Sequence, residues 1–323
     1  MKEFDLIDRF FKNGGHQRKD VLIGIGDDAA LTKVAEKQCL ATTTDTLVSG
    51  VHFLADTPAR AVAYKAVAAN LSDLAAMGAE PAWINLSLSL PNSEAAWLEE
   101  FTEGLYELCQ YYSAQLIGGD TVSGPLSLTI TAQGFVPQES ALTRRGAKPG
   151  DWVYVTGNLG DAGAGLDILR GQLAAVGEDA AYLVKRHYYP SPRVMAGTTL
   201  RRSASACIDI SDGLLADLGH VLEASGCGAL IHVDRLPISE HLANVVDDEK
   251  AIQYGLTAGD DYELLFTIGE EFKSKVETAF SSFNIQATCI GQVTGAQGKI
   301  ELKHNDKPYQ HSGKKGFEHF NGS

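Results

Sequence analysis

The chain has 323 residues, 44% of them apolar and 21% charged, with a formal charge of −14. That length exceeds what one hydrophobic core usually serves, so the composition reads as an ordinary globular protein of two domains. The negative charge argues against nonspecific binding to nucleic acid or to an anionic membrane, and it suits a polyphosphate ligand only with divalent cations in between.

In chain order, residues 3–12 place Phe4, Leu6, Ile7, Phe10 and Phe11 on one helical stripe. Residues 21–25 are a short apolar run into Gly26-Asp27-Asp28, and residues 39–44 read as a strand entering Asp45. Residues 58–77 are helical and alanine-rich, opened by Pro58 and closed by Gly78. A strand at 83–90 ends at Pro91, helical spacing returns over 94–112, Leu116-Ile117 leads into Gly118-Gly119-Asp120, and 126–136 alternates as a long strand. The stretch 137–151 is polar and basic, with Arg144, Arg145 and Lys148, and marks the boundary. The expected division is an N-terminal domain over 1–137, a linker over 138–150 and a C-terminal domain over 151–323. Beyond it come a strand at 152–156, the glycine-rich stretch 157–165 opening an apolar helix, a strand at 206–210 before a helix at 213–224, strands at 230–233 and 263–268, and a helix at 271–281. Strands mixed with helices in both halves make the class α/β (α+β). The five cysteines are scattered singly, the N-terminus lacks a signal peptide's layout and no apolar run spans a bilayer, so a reduced cytoplasmic protein is expected.

Five segments set carboxylates beside glycine or hydroxyl residues: Gly26-Asp27-Asp28, Thr42-Thr43-Thr44-Asp45-Thr46, Gly118-Gly119-Asp120, Asp209-Ile210-Ser211-Asp212-Gly213 and Gly259-Asp260-Asp261. Four of them follow or end a strand-like run, which suggests one site assembled from distant strand ends. Oxygen ligands in that number suit Mg²⁺. Asp45 taken alone reads as a turn or cap residue; among four similar clusters it reads as a ligand. Asn70 and Asp73, three apart, share a helix face that is either a ligand face or the solvated side. Asp212 reads both as an N-cap and as part of a helix start whose amides receive a phosphate, and the 157–165 stretch has the same two readings. His52 is the one histidine near the acidic motifs. No Ser/His/Asp set, HExxH or Cys/His zinc spacing is present, which points to metal-assisted transfer.

Taken in order, the segments Gly24–Ala30, Thr44–Phe53, Asn70–Ala79, Gly118–Thr121, Ile210–Leu214 and Gly259–Leu264 closely resemble those of the bacterial thiamine-monophosphate kinases. That family sits in a superfamily shared with aminoimidazole ribonucleotide synthetase and selenophosphate synthetase. The resemblance implies a two-domain α/β chain. Its N-terminal sheet domain would pair across a homodimer axis, with ATP in a cleft near that interface. It implies Mg²⁺ ligation by Asp28, Thr43, Thr44, Asp45, Asp73, Asp120, Asp209 and Asp212. It implies ATP contacts from Gly119, Asp120, Arg144 and Ser211, and thiamine monophosphate contacts from His52, Asp260 and Phe317. Asp260 stands where the family often has Glu.

The implied reaction is phosphoryl transfer from ATP to thiamine monophosphate, giving thiamine diphosphate. Its nucleophile is a phosphate oxygen already ionised at neutral pH, so the lack of a general-base arrangement agrees with it. The alternatives are another ATP-dependent synthetase of the superfamily, a Mg²⁺- or nucleotide-binding regulatory module and a metal-dependent phosphatase. A selenophosphate synthetase is expected to carry a reactive residue near its N-terminus, and a hydrogenase-maturation relative a C-terminal cysteine.

Overall fold

The structure, a computed structural model, describes residues 3–12, 14–313 and 316. The chain divides into two compact units, one made of Met1–Leu74 with Ala79–Glu139 and the other of Ala75–Gly78 with Ser140–Ser323.

In the first unit, helix α1 (Glu3–Phe10) precedes the short strands β1 (Val21–Ile23) and β2 (Leu31–Thr32). Strand β3 (Gln38–Val48) leads to helix α2 (Ala59–Ala76), strand β4 (Glu80–Leu90), helix α3 (Ala95–Tyr111) and strands β5 (Gln115–Ser123) and β6 (Ser127–Pro137). The last four strands of this unit form a sheet in the order β3-β6-β4-β5. Alternation decides its two faces. In β6, Leu128, Ile130, Ala132 and Val136 are buried in the core, while Ser127, Thr129 and Thr131 between them are half-buried. Ala-rich α2 is buried along most of its length, the polar side chains of Lys65, Asn70 and Ser72 included. Asn70 is fully buried, which removes the solvated-side reading of the Asn70–Asp73 face.

In the second unit the elements run β7 (Trp152–Thr156), α4 (Asp161–Leu169), α5 (Gly177–Tyr188), α6 (Val194–Leu200), β8 (Ala204–Ile210), α7 (Leu214–Ser225) and β9 (Gly228–His232). They continue as α8 (Glu240–Val245), α9 (Asp248–Thr257), β10 (Glu263–Ile268), α10 (Glu270–Ser282), β11 (Ala287–Thr294), β12 (Ile300–His304) and β13 (Lys307–Pro308). Among the described residues seven strands form one mixed sheet in the order β13-β12-β9-β11-β7-β10-β8, in which only β12 and β9 pair in parallel. Leu214, Leu215, Leu218, Val221 and Leu222 of α7 pack in its core with Val153, Ile208 and Leu265 of the strands. Among the described residues no helix is long and apolar enough to cross a membrane.

Candidate active site

In the first unit, β3 is longer than the expected run, so Asp45 lies inside the strand rather than at its end. Pleating sends Thr43, Asp45 and Leu47 to one face and Thr42, Thr44 and Thr46 to the other. Helix α2 brings Asp73 to the first face, where the Thr43 hydroxyl donates to Asp73 Oδ2. Burial, and then the charge of Asp73, push the Asp45 carboxyl up to about 6. A carboxylate whose ionisation is made costly by burial and by a second carboxylate, with a hydroxyl beside them, belongs to an all-oxygen donor set of the kind a hard cation relieves. These residues fit Mg²⁺. Thr44 shares a hydrogen bond with Thr131 on the opposite face, 2.9 Å between hydroxyl oxygens, so any contribution to the Asp45–Asp73 group falls to its main-chain carbonyl.

Asp120 is also inside a strand, at the other edge of the same sheet. Asp45 pairs with Ile130, Ile130 with Leu86 and Leu86 with Gly119, the residue before Asp120. Three strand spacings amount to about 14 Å. Mg²⁺ holds its ligands at about 2.1 Å, so one chain does not bring Asp45 and Asp120 to the same ion. Gly119 has a packing role as well: a Cβ there would lie 1.9 Å from the Leu86 carbonyl oxygen. Asp28 is exposed, in a turn after β1 where its N–H donates to Asp27 Oδ1 at 2.8 Å. His52 lies in the turn after β3, and its Nδ1 accepts the Val48 N–H at 3.0 Å. In the neutral ring this assigns the proton to Nε2. Among the described residues no three His, Cys, Asp or Glu side chains gather into a metal-holding cluster.

The second unit brings Ser211, Asp212 and Asp260 together. Asp209 is buried in β8 opposite Leu264 of β10, and the Ser211-Asp212-Gly213 turn follows directly. The Asp260 N–H donates to the Ser211 carbonyl at 2.9 Å and the Tyr262 N–H to the Ile210 carbonyl at 2.8 Å. Asp260 (φ +68°) and Tyr262 (φ +51°) hold left-handed conformations to do so, and the Tyr262 hydroxyl donates to Asp260 Oδ1 at 3.2 Å. His187 Nδ1 lies 3.8 Å from Asp260 Oδ2. Arg144 is exposed on a loop whose carbonyl at that residue accepts the Ser225 hydroxyl at 3.3 Å. Ser225 is the last residue of α7, and a helix of 12 residues is about 18 Å long, so the main chain of Arg144 is anchored far from the turn at the helix start. Phe317 lies outside the described residues.

Both helix starts that carry two readings in the sequence are filled by the protein's own carboxylates. The N–H groups of Ser211, Asp212 and Gly213 donate to Asp217 Oδ2 at 3.1, 3.1 and 3.2 Å. At α4, the Gly160 and Ala162 N–H groups donate to Asp261 at 2.7 and 3.3 Å. Gly160 adopts φ +87°, and a Cβ there would lie 2.7 Å from that of Tyr254. The glycine-rich stretch thus serves close internal packing. Burial drives the Asp261 carboxyl well above its usual range against the pull of those amides. The Asp217 carboxyl rises to about 7, through burial first and then the Asp212 charge. Asp217 and the buried Glu263 were not singled out from sequence as functional groups, and Asp261 was read only as a member of the Gly259-Asp260-Asp261 carboxylate cluster, with no role of its own. The available signal was an acidic residue in the first turn of α7. Because the Ser211 N–H goes to Asp217, a nucleotide contact from Ser211 falls to its hydroxyl.

Residues 26–136 match the family model of the AIR synthase related protein N-terminal domain, and residues 148–303 that of its C-terminal domain. The chain is 50% identical over 319 residues to the thiamine-monophosphate kinase of Escherichia coli K12, covering 98% of each. Its fold matches the crystal structure of the thiamine-monophosphate kinase from Stenotrophomonas maltophilia with a TM-score of 0.84 and 42% identity, covering 91% of this chain and 93% of that one. It also matches AaThiL complexed with AMPPCP and TMP, with a TM-score of 0.77 and 34% identity over 92% of each chain. The chain therefore belongs to the thiamine-monophosphate kinases, a family of AIR synthase related proteins with the two-domain α/β fold that its sequence motifs imply.

Proposed function

We propose that this chain transfers the γ-phosphoryl group of ATP to the phosphate of thiamine monophosphate by direct in-line displacement assisted by Mg²⁺. The observation that carries the Mg²⁺ part is the Asp45–Asp73 pair, the Thr43 hydroxyl on one carboxylate and the charge of that carboxylate felt by the other. The substrates follow from the relatives: the E. coli protein is named for thiamine monophosphate, and AaThiL was solved with AMPPCP and TMP. When bound, Mg²⁺ neutralises phosphate charge and steadies charge on the group in transfer.

The residues divide the remaining work. Asp45 and Asp73, with the Thr43 hydroxyl and the Thr44 carbonyl, form one ligand group, and Asp28, Asp120, Asp209 and Asp212 supply further carboxylates. The Ser211 hydroxyl, Gly119 and Arg144 are the nucleotide contacts that the family resemblance assigns. His52, Asp260 and Phe317 are the contacts to thiamine monophosphate that the family resemblance assigns, with the Asp260 carboxylate suited to the cationic thiazolium ring. No residue needs to remove a proton from the attacking oxygen, which is already ionised.

The two edges of the first sheet support a homodimer. Among the described residues both β3 and β5 pair on one side only, and each carries a proposed ligand, Asp45 or Asp120. A second copy laid edge to edge would complete the hydrogen bonding and set Asp45 of one chain beside Asp120 of the other. The function is tested by incubating purified protein with Mg²⁺, ATP and thiamine monophosphate and measuring ADP and all thiamine species. Equal amounts of ADP and thiamine diphosphate are expected. ATP binding without turnover would favour a regulatory module, and inorganic phosphate release without ATP a phosphatase; either overturns the proposal.

A further inference from the structure

We propose that Asp217 is a positioning residue: its carboxylate holds the Ser211-Asp212-Gly213 turn in the one arrangement that presents the Asp212 carboxylate and the Ser211 hydroxyl to magnesium-bound nucleotide. The proposal rests on the kinase reading above and adds a residue that does not itself touch substrate.

Three consecutive main-chain N–H groups converge on a single oxygen, Asp217 Oδ2. That convergence sets the orientation of three peptide planes at once. The side chain is 3% exposed, so water does not substitute readily for it. Its own N–H donates to the Gly213 carbonyl at 3.0 Å, which ties the end of the turn to the first turn of α7. Helix α7 is a firm base, because its leucines are packed in the core of the second unit. On the other side the turn is held through its carbonyls, by the Asp260 N–H on Ser211 and the Tyr262 N–H on Ile210. The N–H and the carbonyl of Ser211 are thereby both committed, and a ligand at the turn is met by the side chains of Ser211 and Asp212. Where they point is set by the peptide planes that Asp217 fixes. Groups that orient a metal ligand from behind typically alter metal affinity 10–100-fold when removed.

The test uses the full chain with Asp217→Ala, Asp217→Asn and, as a control on the same helix, Leu222→Ala. Three quantities are read: the Mg²⁺ concentration giving half-maximal ADP formation, hydrogen exchange of the peptide covering 211–213, and Tm. In Asp217→Ala the Mg²⁺ requirement is expected to rise about tenfold or more, and exchange of the turn to quicken about tenfold. Asp217→Asn keeps one acceptor oxygen and should recover most of both effects. Leu222→Ala should lower Tm while leaving the Mg²⁺ requirement at the wild-type value. An unchanged Mg²⁺ response in folded Asp217→Ala overturns the proposal. Equal losses in Asp217→Ala and Asp217→Asn also overturn it, since they assign the effect to charge rather than to hydrogen bonding. If Asp217→Ala does not fold, Asp217→Asn decides: a turn exchanging faster than in Leu222→Ala together with a raised Mg²⁺ requirement, smaller than that of Asp212→Asn, upholds positioning, and an unchanged Mg²⁺ response or a loss as severe as that of Asp212→Asn rejects it. A wild-type chain that makes no thiamine diphosphate defeats the kinase reading instead, and exchange of the turn with and without Mg²⁺ and ATP still reads the role of Asp217.

Discussion

Asp45 shows a side chain kept at a cost to stability. Its carboxyl is pushed up to about 6 from 3.8, so the folded chain binds more protons than the unfolded chain between those values. Ionising Asp45 above about pH 6 therefore costs stability, by up to about 2–3 kcal/mol before the solvent that reaches the group is allowed for. Asp45→Asn removes that cost. In the metal-free protein it is expected to raise Tm at pH 8, with the gain shrinking as the pH falls through about 6 and vanishing only well below 3.8, where the wild-type group is protonated in both states. The same variant should lose the Tm increase that Mg²⁺ and ATP give the wild type, and nearly all turnover. Thermal scans across pH, with and without Mg²⁺, check both halves. A metal-free variant less stable than wild type at pH 8 would remove the like-charge account. Asp45 and Asp73 were each legible as candidates, one from its company of threonines and the other from the face it shares with Asn70; that the two meet was not, since they stand 28 positions apart in the chain.

Between elements, stability rests on close approaches and buried charge that no local pattern announces. Helices α2 and α3 touch backbone to side chain position at Gly104, where a Cβ would lie 2.1 Å from the Arg60 carbonyl oxygen. Gly104→Ala forces the helices apart and should cost about 1–3 kcal/mol, read as a lower Tm, despite alanine's better helix propensity. In the second unit Glu263, fully buried at the start of β10, accepts from Arg193 Nε and Nη2 at 2.5 Å each, from Arg186 Nη2 at 3.0 Å and from the Thr156 hydroxyl at 2.7 Å. Glu263→Ala strands two guanidinium groups and should cost about 3–5 kcal/mol, lowering Tm by roughly 10 °C, measurable by calorimetry. A Tm within a degree of wild type would show that the network contributes little. Strands β7 and β10 were readable from their continuous apolar runs, and β6 from its alternation. Helices α5, α6, α8 and α9 and strands β11 to β13 were not assigned. Their apolar residues are sparse, and caps such as Ser239 on the Leu242 N–H and Asp247 on the Lys250 N–H have no meaning until the helix is known.

For the whole molecule, the strand order β3-β6-β4-β5 has a direct consequence for catalysis. If Asp45 and Asp120 serve one site, they come from two copies. Asp45→Asn and Asp120→Asn should each be inactive as pure proteins. Unfolded, mixed in equal amounts and refolded together, they should recover about a quarter of wild-type activity, because half the dimers are mixed and each mixed dimer has one intact site. No recovery in mixtures shown by native mass spectrometry to exchange subunits would place both carboxylates in service of a single chain.

The amino-acid sequence by itself determined the chemistry on offer: oxygen ligands in five motifs, no nucleophile or base constellation, mixed α and β elements in both halves, and motifs whose order matches one kinase family. Those properties are local, written in residue type, spacing and periodicity. Which groups meet was decided by the tertiary structure alone. Sheet order sends Asp120 to the far edge from Asp45, helix α2 carries Asp73 to Thr43, and Asp217 and Asp261 fill the two helix starts that would otherwise face a phosphate. The physical reason is that strand order and helix docking are settled by the burial of whole faces, a sum over many residues, so a pair of functional side chains meets only as a consequence of packing that neither of them specifies.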